Sequence, residues 1–534
     1  MSAGADTLTA PAIPEVWKPK HNPWAIALVV TMATFMEVLD TSIANVALPH
    51  MAGDLSAGTD ESTWVLSSYL VANAVILPIS AWLATRFGRK RFYMTCVVLF
   101  GLSSLACGFA PSLGALVFFR IIQGLGGGGL APSEQAILAD TFPPQKRGMA
   151  FAIYGMAVVM APAIGPTLGG YITDNFNWRW IFFINVPVAI ASLILTSRLV
   201  EDPPFLKKMR ERAGRVDYIG LLLVAVGVGA GQVVLDKGQR EGWFDSNFSL
   251  TFQILSWVCI ALAIWWEFRV KNPVIDLRLF RNRNFSVSCV LMFMLGAALF
   301  GSTVLLPQMV QTLMGYTAQQ AGMVISPGAI VIILLLPLVG NIVGKVDARY
   351  MIAGAFLVAG IGLWRMTAIS PDVDFRTIMM LRVYQMMGVA FLFVPIQTMT
   401  YVGIPMEKNN NVSGMINLAR NMGGSIGIAA LETILERRSE FHQNRLAAHT
   451  SALDPAFKSS VDAMIQAFMQ AGYDASTAAQ MAYGKVYGLL QAQASWLAYL
   501  DTIWIYAIAC VVVAPLAFLM KKPKRGGSGR VEMH

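Results

Sequence analysis

Long apolar runs separated by short polar breaks dominate the chain. Fourteen of them hold roughly 18 or more residues, the length that crosses a bilayer as a helix. They lie near 24–48, 62–85, 91–110, 113–139, 148–173, 179–199, 217–235, 248–268, 285–307, 321–344, 350–370, 375–404, 412–434 and 496–520. The pattern predicts an all-α integral membrane protein. One stretch departs from it: residues 437–495 are polar and open with Arg437, Arg438, Glu440, His442 and Arg445. Their alternating Ala, Gln and Met suggest helices, read either as a connector at the outer surface or as a docking element for a second protein.

Composition agrees with this reading. At 534 residues, 56% hydrophobic and 13% charged, the chain is far from a soluble globule, where about 25% charged is usual. The net charge of +9 does not point to nucleic acid, because the basic residues lie in short loops between spans. With the N-terminus inside, the inner loops carry Arg86, Arg89, Lys90, Arg91, Lys146, Arg147, Arg198, Lys207, Lys208, Arg210, Arg212, Arg215, Arg269, Lys271, Arg278, Arg281, Arg283, Lys345, Arg349 and Lys408. The outer loops carry Arg179, Lys237, Arg240, Arg365 and Arg376. A ratio of roughly five to one predicts that both termini are cytoplasmic. The polar segment before Trp24 precedes an apolar run too long for a cleaved signal. Five scattered cysteines form neither a disulfide framework nor a zinc spacing and read as small buried hydrophobes.

The fourth and twelfth spans share a pattern. Arg120-Ile-Ile-Gln123-Gly-Leu-Gly126 recurs as Arg382-Val-Tyr-Gln385-Met-Met-Gly388, an offset of 262 residues (382 − 120). The same offset maps Lys146 onto Lys408 and Gly165 onto Gly427. Spans one to six therefore match spans nine to fourteen in the same orientation, as in parallel-repeat transporters. The organisation expected is an N-terminal segment 1–23, a six-helix bundle 24–199, a linker with two inserted helices 200–284, a second bundle 285–520 containing the external segment 437–495, and a tail 521–534.

Charge inside the spans is the chemical clue. Glu37 and Asp40 sit in the first, where an ionisable group costs several kcal/mol and so faces a pathway or a partner. Asp40 lies ~24 Å along that helix and about 12 Å short of its outer end; Arg120 lies ~10 Å below the outer end of the fourth. The two charges share a depth. A nearby Arg and loss of water act oppositely on a carboxylate's proton affinity, so a conformational change that alters both can load and unload a proton. A static ion pair is the bland alternative. Glu37, at i,i+3 from Asp40, reads as a second proton site, a cation-binding group or a satisfied polar residue. Glu134, near the inner end of the fourth span, is a further candidate or a carboxylate that reaches interfacial water, and Arg420 is a counter-charge or a contact for an anionic substrate. Gly126–Gly129 lacks the Gly-Lys-Ser/Thr of a phosphate loop and reads as helix packing. With no nucleotide-binding loop in the chain, an ion gradient is the expected energy source and no cofactor or metal is implied.

Several longer motifs resemble those of the fourteen-helix drug:proton antiporters of the major facilitator superfamily, most closely the EmrB-like multidrug exporters. They are Leu39-Asp-Thr-Ser-Ile-Ala-Asn45-Val-Ala-Leu-Pro49, Phe119-Arg-Ile-Ile-Gln-Gly124, Gly165-Pro166-Thr-Leu-Gly169-Gly170 and Trp178-Arg-Trp-Ile-Phe-Phe-Ile-Asn-Val-Pro187. The resemblance implies proton coupling through Asp40 and Arg120, with Glu37 a candidate beside them. It implies conformational roles for the antiporter motif Gly165, Pro166, Gly169 and Gly170, and for Arg86, Gly88 and Arg89 of the gating loop. That loop departs from the family pattern at Ala81 and Thr85, where Gly and Asp are usual, which puts its charge relay in doubt. Candidate substrate contacts are Asn45, Gln123, Glu134, Arg382, Gln385 and Arg420. The function implied is export of lipophilic or amphipathic compounds across a bacterial inner membrane in exchange for protons, with a periplasmic adaptor and an outer-membrane channel as partners. A proton-coupled transporter of one organic solute, such as a fatty acid, siderophore or metabolite, is the alternative. A membrane enzyme is disfavoured, since all five His lie outside the core spans.

Overall fold

The computed structural model describes residues 19–206, 217–270, 273–448, 450 and 455–522. Most of the two terminal segments lies outside the described residues. So do the basic residues Lys207, Lys208, Arg210, Arg212, Arg215 and Lys271, and positions 449 and 451–454 of the external segment.

The long helices are α1 Pro23–Asp54, α2 Trp64–Phe87, α3 Arg89–Gly108, α4 Leu113–Thr141, α5 Arg147–Asn175, α6 Trp180–Leu199, α7 Tyr218–Lys237, α8 Asn247–Arg269, α9 Arg283–Met314, α10 Ala318–Ile342, α11 Ala348–Met366, α12 Phe375–Thr400, α13 Asn409–Ala447, α14 Pro455–Gln470 and α15 Ala475–Val513. Among the described residues, twelve helical segments are long and apolar enough to cross a membrane, by length and composition alone. α11 and α13 add two more within the bundle: α11 packs on α12 and α15, α13 on α9 and α15. The span expected over 113–139 is broken at Gly128–Gly129 into Leu113–Gly127 and Leu130–Thr141.

Local chemistry starts these helices where it should. Asn22 accepts a hydrogen bond from the Trp24 amide at 2.9 Å, with Pro23 leading α1; Asn282, Asp347 and Asp374 cap α9, α11 and α12 likewise. Pro49, Pro78, Pro162, Pro166 and Pro395 lie inside helices, which a bundle tolerates where neighbouring helices satisfy the freed backbone groups.

Packing repeats with the sequence. α1 lies on α5 and α9 on α13; α2 and α3 lie on α4 as α10 and α11 lie on α12; α3 meets α6 as α11 meets α15. The two halves touch through α2 with α13 and α5 with α10, themselves equivalent pairs. α7 and α8 pack on each other, and α7 on α2, outside the repeat.

The segment 437–495 is built from continuations of bundle helices. α13 runs on to Ala447, α15 begins at Ala475, and α14 packs along α15. At this end Arg438 and His442 both reach Asp501, the imidazole at 2.7 Å.

Candidate functional site

The first half holds a closed polar centre. Asp40 on α1 is 2% exposed and receives three N–H donors. Arg120 Nη1 donates to Oδ2 at 2.6 Å, while Asn185 Nδ2 and Gln123 Nε2 donate to Oδ1 at 2.6 and 3.0 Å. Arg120 also donates from Nε to the Val65 carbonyl at 3.1 Å and from Nη1 to Gln123 Oε1 at 2.8 Å, and its guanidinium lies 4.2 Å from the Tyr69 ring centre. Asn185 Nδ2 also reaches Ser104 Oγ at 3.0 Å. Donors from α4 and α6 thus converge on one buried carboxylate of α1, with α2 and α3 bracing those donors. Charge-assisted bonds of this kind are the strong ones, and breaking a buried pair costs about 3–5 kcal/mol.

α5 closes the far side of α1 through its small residues. A Cβ at Gly165 would lie 2.3 Å from Ser42 Oγ and one at Gly169 3.0 Å from Ile43 Cγ2, so only hydrogen permits this approach beside Asp40. Gly170 has nothing within 4 Å, and Pro166 is exposed.

Glu37 lies one turn N-terminal to Asp40 and is bonded by Asn73 Nδ2 at 3.0 Å and Tyr69 Oη at 3.2 Å. Asn45 is exposed and lies a little over two turns C-terminal to Glu37 on α1. Glu134 is fully buried; Thr31 Oγ1 donates to its Oε1 at 2.5 Å, and Oε2 has no partner. Arg420 on α13 donates to Tyr154 Oη of α5 at 3.0 Å and lines an apolar cavity between the halves. That cavity is narrow and partly open, with about 20 Å³ of room for the centre of a water molecule, among Val159, Leu299, Ile332, Leu336, Val389 and Phe393. Of the six substrate candidates, Arg420 is the one that enters it. Gln123 lies in the Asp40 centre, and Arg382 with Gln385 is enclosed in the second half.

The loop at Gly88 forms the other polar centre. Gly88 (φ +92°) turns the chain between α2 and α3, a conformation that a side chain would strain. This places Arg89, 1% exposed, in an ion pair with Asp140 of α4. The second half completes it: Arg89 Nε donates to Asn410 Oδ1 at 2.7 Å, Asn409 Nδ2 to Asp140 Oδ1 at 2.6 Å, and Asn410 Nδ2 to Thr85 Oγ1 at 3.2 Å. Thr85, where the family pattern has Asp, is therefore bonded across the gate by a neutral amide. Deeper in, Gln397 and Asn417 both donate to Gln135 Oε1, at 2.6 and 2.8 Å. These bonds join the halves at the Gly88 end, and that end is shut. Arg86 lies in the last turn of α2, half-buried.

Sequence reasoning passed over Asn185, Tyr154, Asp140, Asn409 and Asn410. Asn185 stands inside the quoted Trp178–Pro187 motif, and an amide in an apolar span was the available signal.

The chain matches the Major Facilitator Superfamily over residues 30–428. It is 35% identical to the multidrug export protein EmrB of Escherichia coli (strain K12) over 505 residues, covering 94% of this chain and 96% of that one. It is also 35% identical to the fatty acid resistance protein FarB of Neisseria gonorrhoeae, covering 94% and 97%. The structure of the proton:xylose symporter XylE superposes with a TM-score of 0.59 over 92% of this chain and 94% of that one, at 12% identity, a likeness of fold. The chain is thus a multi-pass membrane transporter rather than an enzyme, and it belongs to the EmrB-like multidrug exporters of the Major Facilitator Superfamily.

Proposed function

We propose that the protein is a proton-coupled antiporter that exports lipophilic and amphipathic toxic compounds across the bacterial inner membrane by alternating access. The observation that carries this is the Asp40–Arg120 pair at 2.6 Å, sealed among Gln123, Asn185 and Tyr69. It is a titratable group whose partners come from separate helices, so movement of α1 against α4 and α6 changes its affinity for a proton. Protons enter from outside, drug leaves as the halves rock, and Gly165 and Gly169 hold α5 against α1 to limit leak. With the Gly88 end cytoplasmic, as the distribution of basic residues implies, the conformer described has its inner gate shut. One charge crossing 100 mV supplies about 2.3 kcal/mol, enough to bias such an equilibrium. No cofactor is involved; the proton gradient drives the cycle. The resemblance to EmrB-like exporters and the long hairpin of α13, α14 and α15 support a place as the inner-membrane component of a tripartite pump, with a periplasmic adaptor and an outer-membrane channel.

The test is Asp40→Asn, which keeps shape and removes the titratable group. Inverted vesicles carrying it should insert the protein and bind drug yet lose pH-gradient-driven uptake. Wild-type uptake by this variant would sink the assignment.

A narrower reading, an exporter of a specific organic acid such as a fatty acid, draws on Arg420, the charged residue in the apolar cavity. A relative named for fatty acid resistance points the same way. Drug and fatty-acid susceptibility compared in one deletion strain separates the two.

A further inference from the structure

The two halves carry the same buried arginine in different company. Arg382 repeats Arg120 and Gln385 repeats Gln123, both at 262 residues (382 − 120, 385 − 123). The position at that offset from Asp40 is Ser302 (302 − 40). The geometry repeats as well. Arg382 Nη1 donates to Gln385 Oε1 at 2.7 Å, as Arg120 does to Gln123 at 2.8 Å. Where Arg120 meets a carboxylate, Arg382 meets hydroxyls: Ser302 Oγ at 2.8 Å and Thr303 Oγ1 at 3.0 Å.

What is missing is the negative charge. Arg382 is 2% exposed, and no carboxylate is paired with it among the described residues. Two N–H donors there, Arg382 Nε and Gln385 Nε2, have no partner. α10 closes over the group, a Cβ at Gly328 standing 3.3 Å from Arg382 Cγ. A guanidinium keeps its proton in proteins, so it cannot be neutralised by losing one, and an uncompensated buried charge is strongly disfavoured.

We propose that Arg382, Gln385 and Ser302 form a binding site for a monovalent anion, either a chloride ion or the carboxylate head of a lipophilic acid. The unpartnered donors supply the recognition, and the bound anion takes the part that Asp40 plays in the first half. Neighbouring residues make the second source reachable. Leu299, Ile332 and Val389 lie one to two turns from Ser302, Gly328 and Arg382 on the same three helices, and all three line the apolar cavity that Arg420 enters. A lipophilic acid whose tail widens that narrow cavity as it enters has an arginine on two sides. The site rests on the repeat geometry and is independent of proton coupling through Asp40.

The experiment is thermal unfolding of the purified full-length chain in lipid nanodiscs, followed by tryptophan fluorescence. Buffers of equal ionic strength contain sodium gluconate, sodium chloride, or gluconate with decanoate; decanol is the uncharged control. Chloride or decanoate should raise the wild-type Tm by a few degrees over gluconate, with decanol inert. A chloride response identifies the inorganic ion, and a response to decanoate alone identifies the headgroup. Arg382→Gln should abolish the rise. Ser302→Asp, which supplies the counter-charge from within the chain, should melt at or above the wild-type gluconate value and no longer respond. If Arg382→Gln does not fold, Ser302→Asp decides the matter alone. A wild-type Tm indifferent to both anions, or a folded variant that keeps the full rise, overturns the proposal.

Discussion

Asn410→Ala should open the Gly88 end of the bundle. Asn410 accepts from the buried Arg89 at 2.7 Å and donates to Thr85 at 3.2 Å, each bond running from the second half to the first. A hydrogen bond to a charged group contributes about 1.5–3 kcal/mol, and each 1.4 kcal/mol is a factor of ten. The bond to Arg89 exists only while the halves are closed here, so its loss should lower the closed-to-open ratio by about 10- to 150-fold. The Arg89–Asp140 pair lies wholly within the first half and survives the opening. Spin labels at Arg91 and Val346, both exposed at this end and one in each half, report the change by double electron–electron resonance in a chain without its native cysteines. Asn410→Ala should shift the distance distribution toward a longer population, and Asn409→Ala, which frees Asp140, should add to it. Distributions identical to the parent in both variants would refute the gate.

Arg120→Lys should lose transport where Arg→Lys at an exposed loop position does not, because one ammonium cannot hold Asp40, Gln123 and the Val65 carbonyl together; drug uptake into vesicles checks this. Gly165→Val should cost about 1–3 kcal/mol by overpacking against Ser42, seen as a lower Tm, while Gly170→Ala, with open space around it, should be neutral. Replacing 437–495 by a Gly/Ser linker long enough to bridge its ends should leave vesicle transport and lower whole-cell resistance together with adaptor co-purification; loss of both activities would place the segment in the transport core. Asp347 caps α11 and is held below the usual carboxylate range by the Arg349 side chain, so its contribution is present above about pH 4 and lost as pH falls further. Asp347→Asn should flatten that acid limb of the Tm–pH curve.

The meeting of Asp40 and Arg120 was legible because helix rise converts residue number into depth, and two charges at one depth in apolar helices must find each other. The repeat made Arg382 and Gln385 visible in the same way. Asn185 was harder to see: an amide carries no charge to flag it, and its role arises only when α6 packs against α1. Asp140, Asn409 and Asn410 stand at span ends, where polar residues ordinarily meet water. Their function comes from the packing of α13 on α2 and α4, which joins positions about 270 residues apart and leaves no local pattern. Apolarity stops before helicity does in the outer hairpin. α13 continues past residue 434 to Ala447, and α15 starts at Ala475, where Asp474 caps the Ser476 and Thr477 amides at 3.1 Å, well ahead of the apolar run.

The central claim is exchange of substrate for protons through Asp40. Proteoliposomes with a trapped pH-sensitive dye and no initial pH gradient, given an outward gradient of a fluorescent lipophilic drug, test it directly. Wild-type protein should move protons inward as drug leaves, and Asp40→Asn should abolish that movement. Drug efflux with no accompanying change of internal pH in the wild type, or an unchanged proton signal in the Asn variant, would contradict the account.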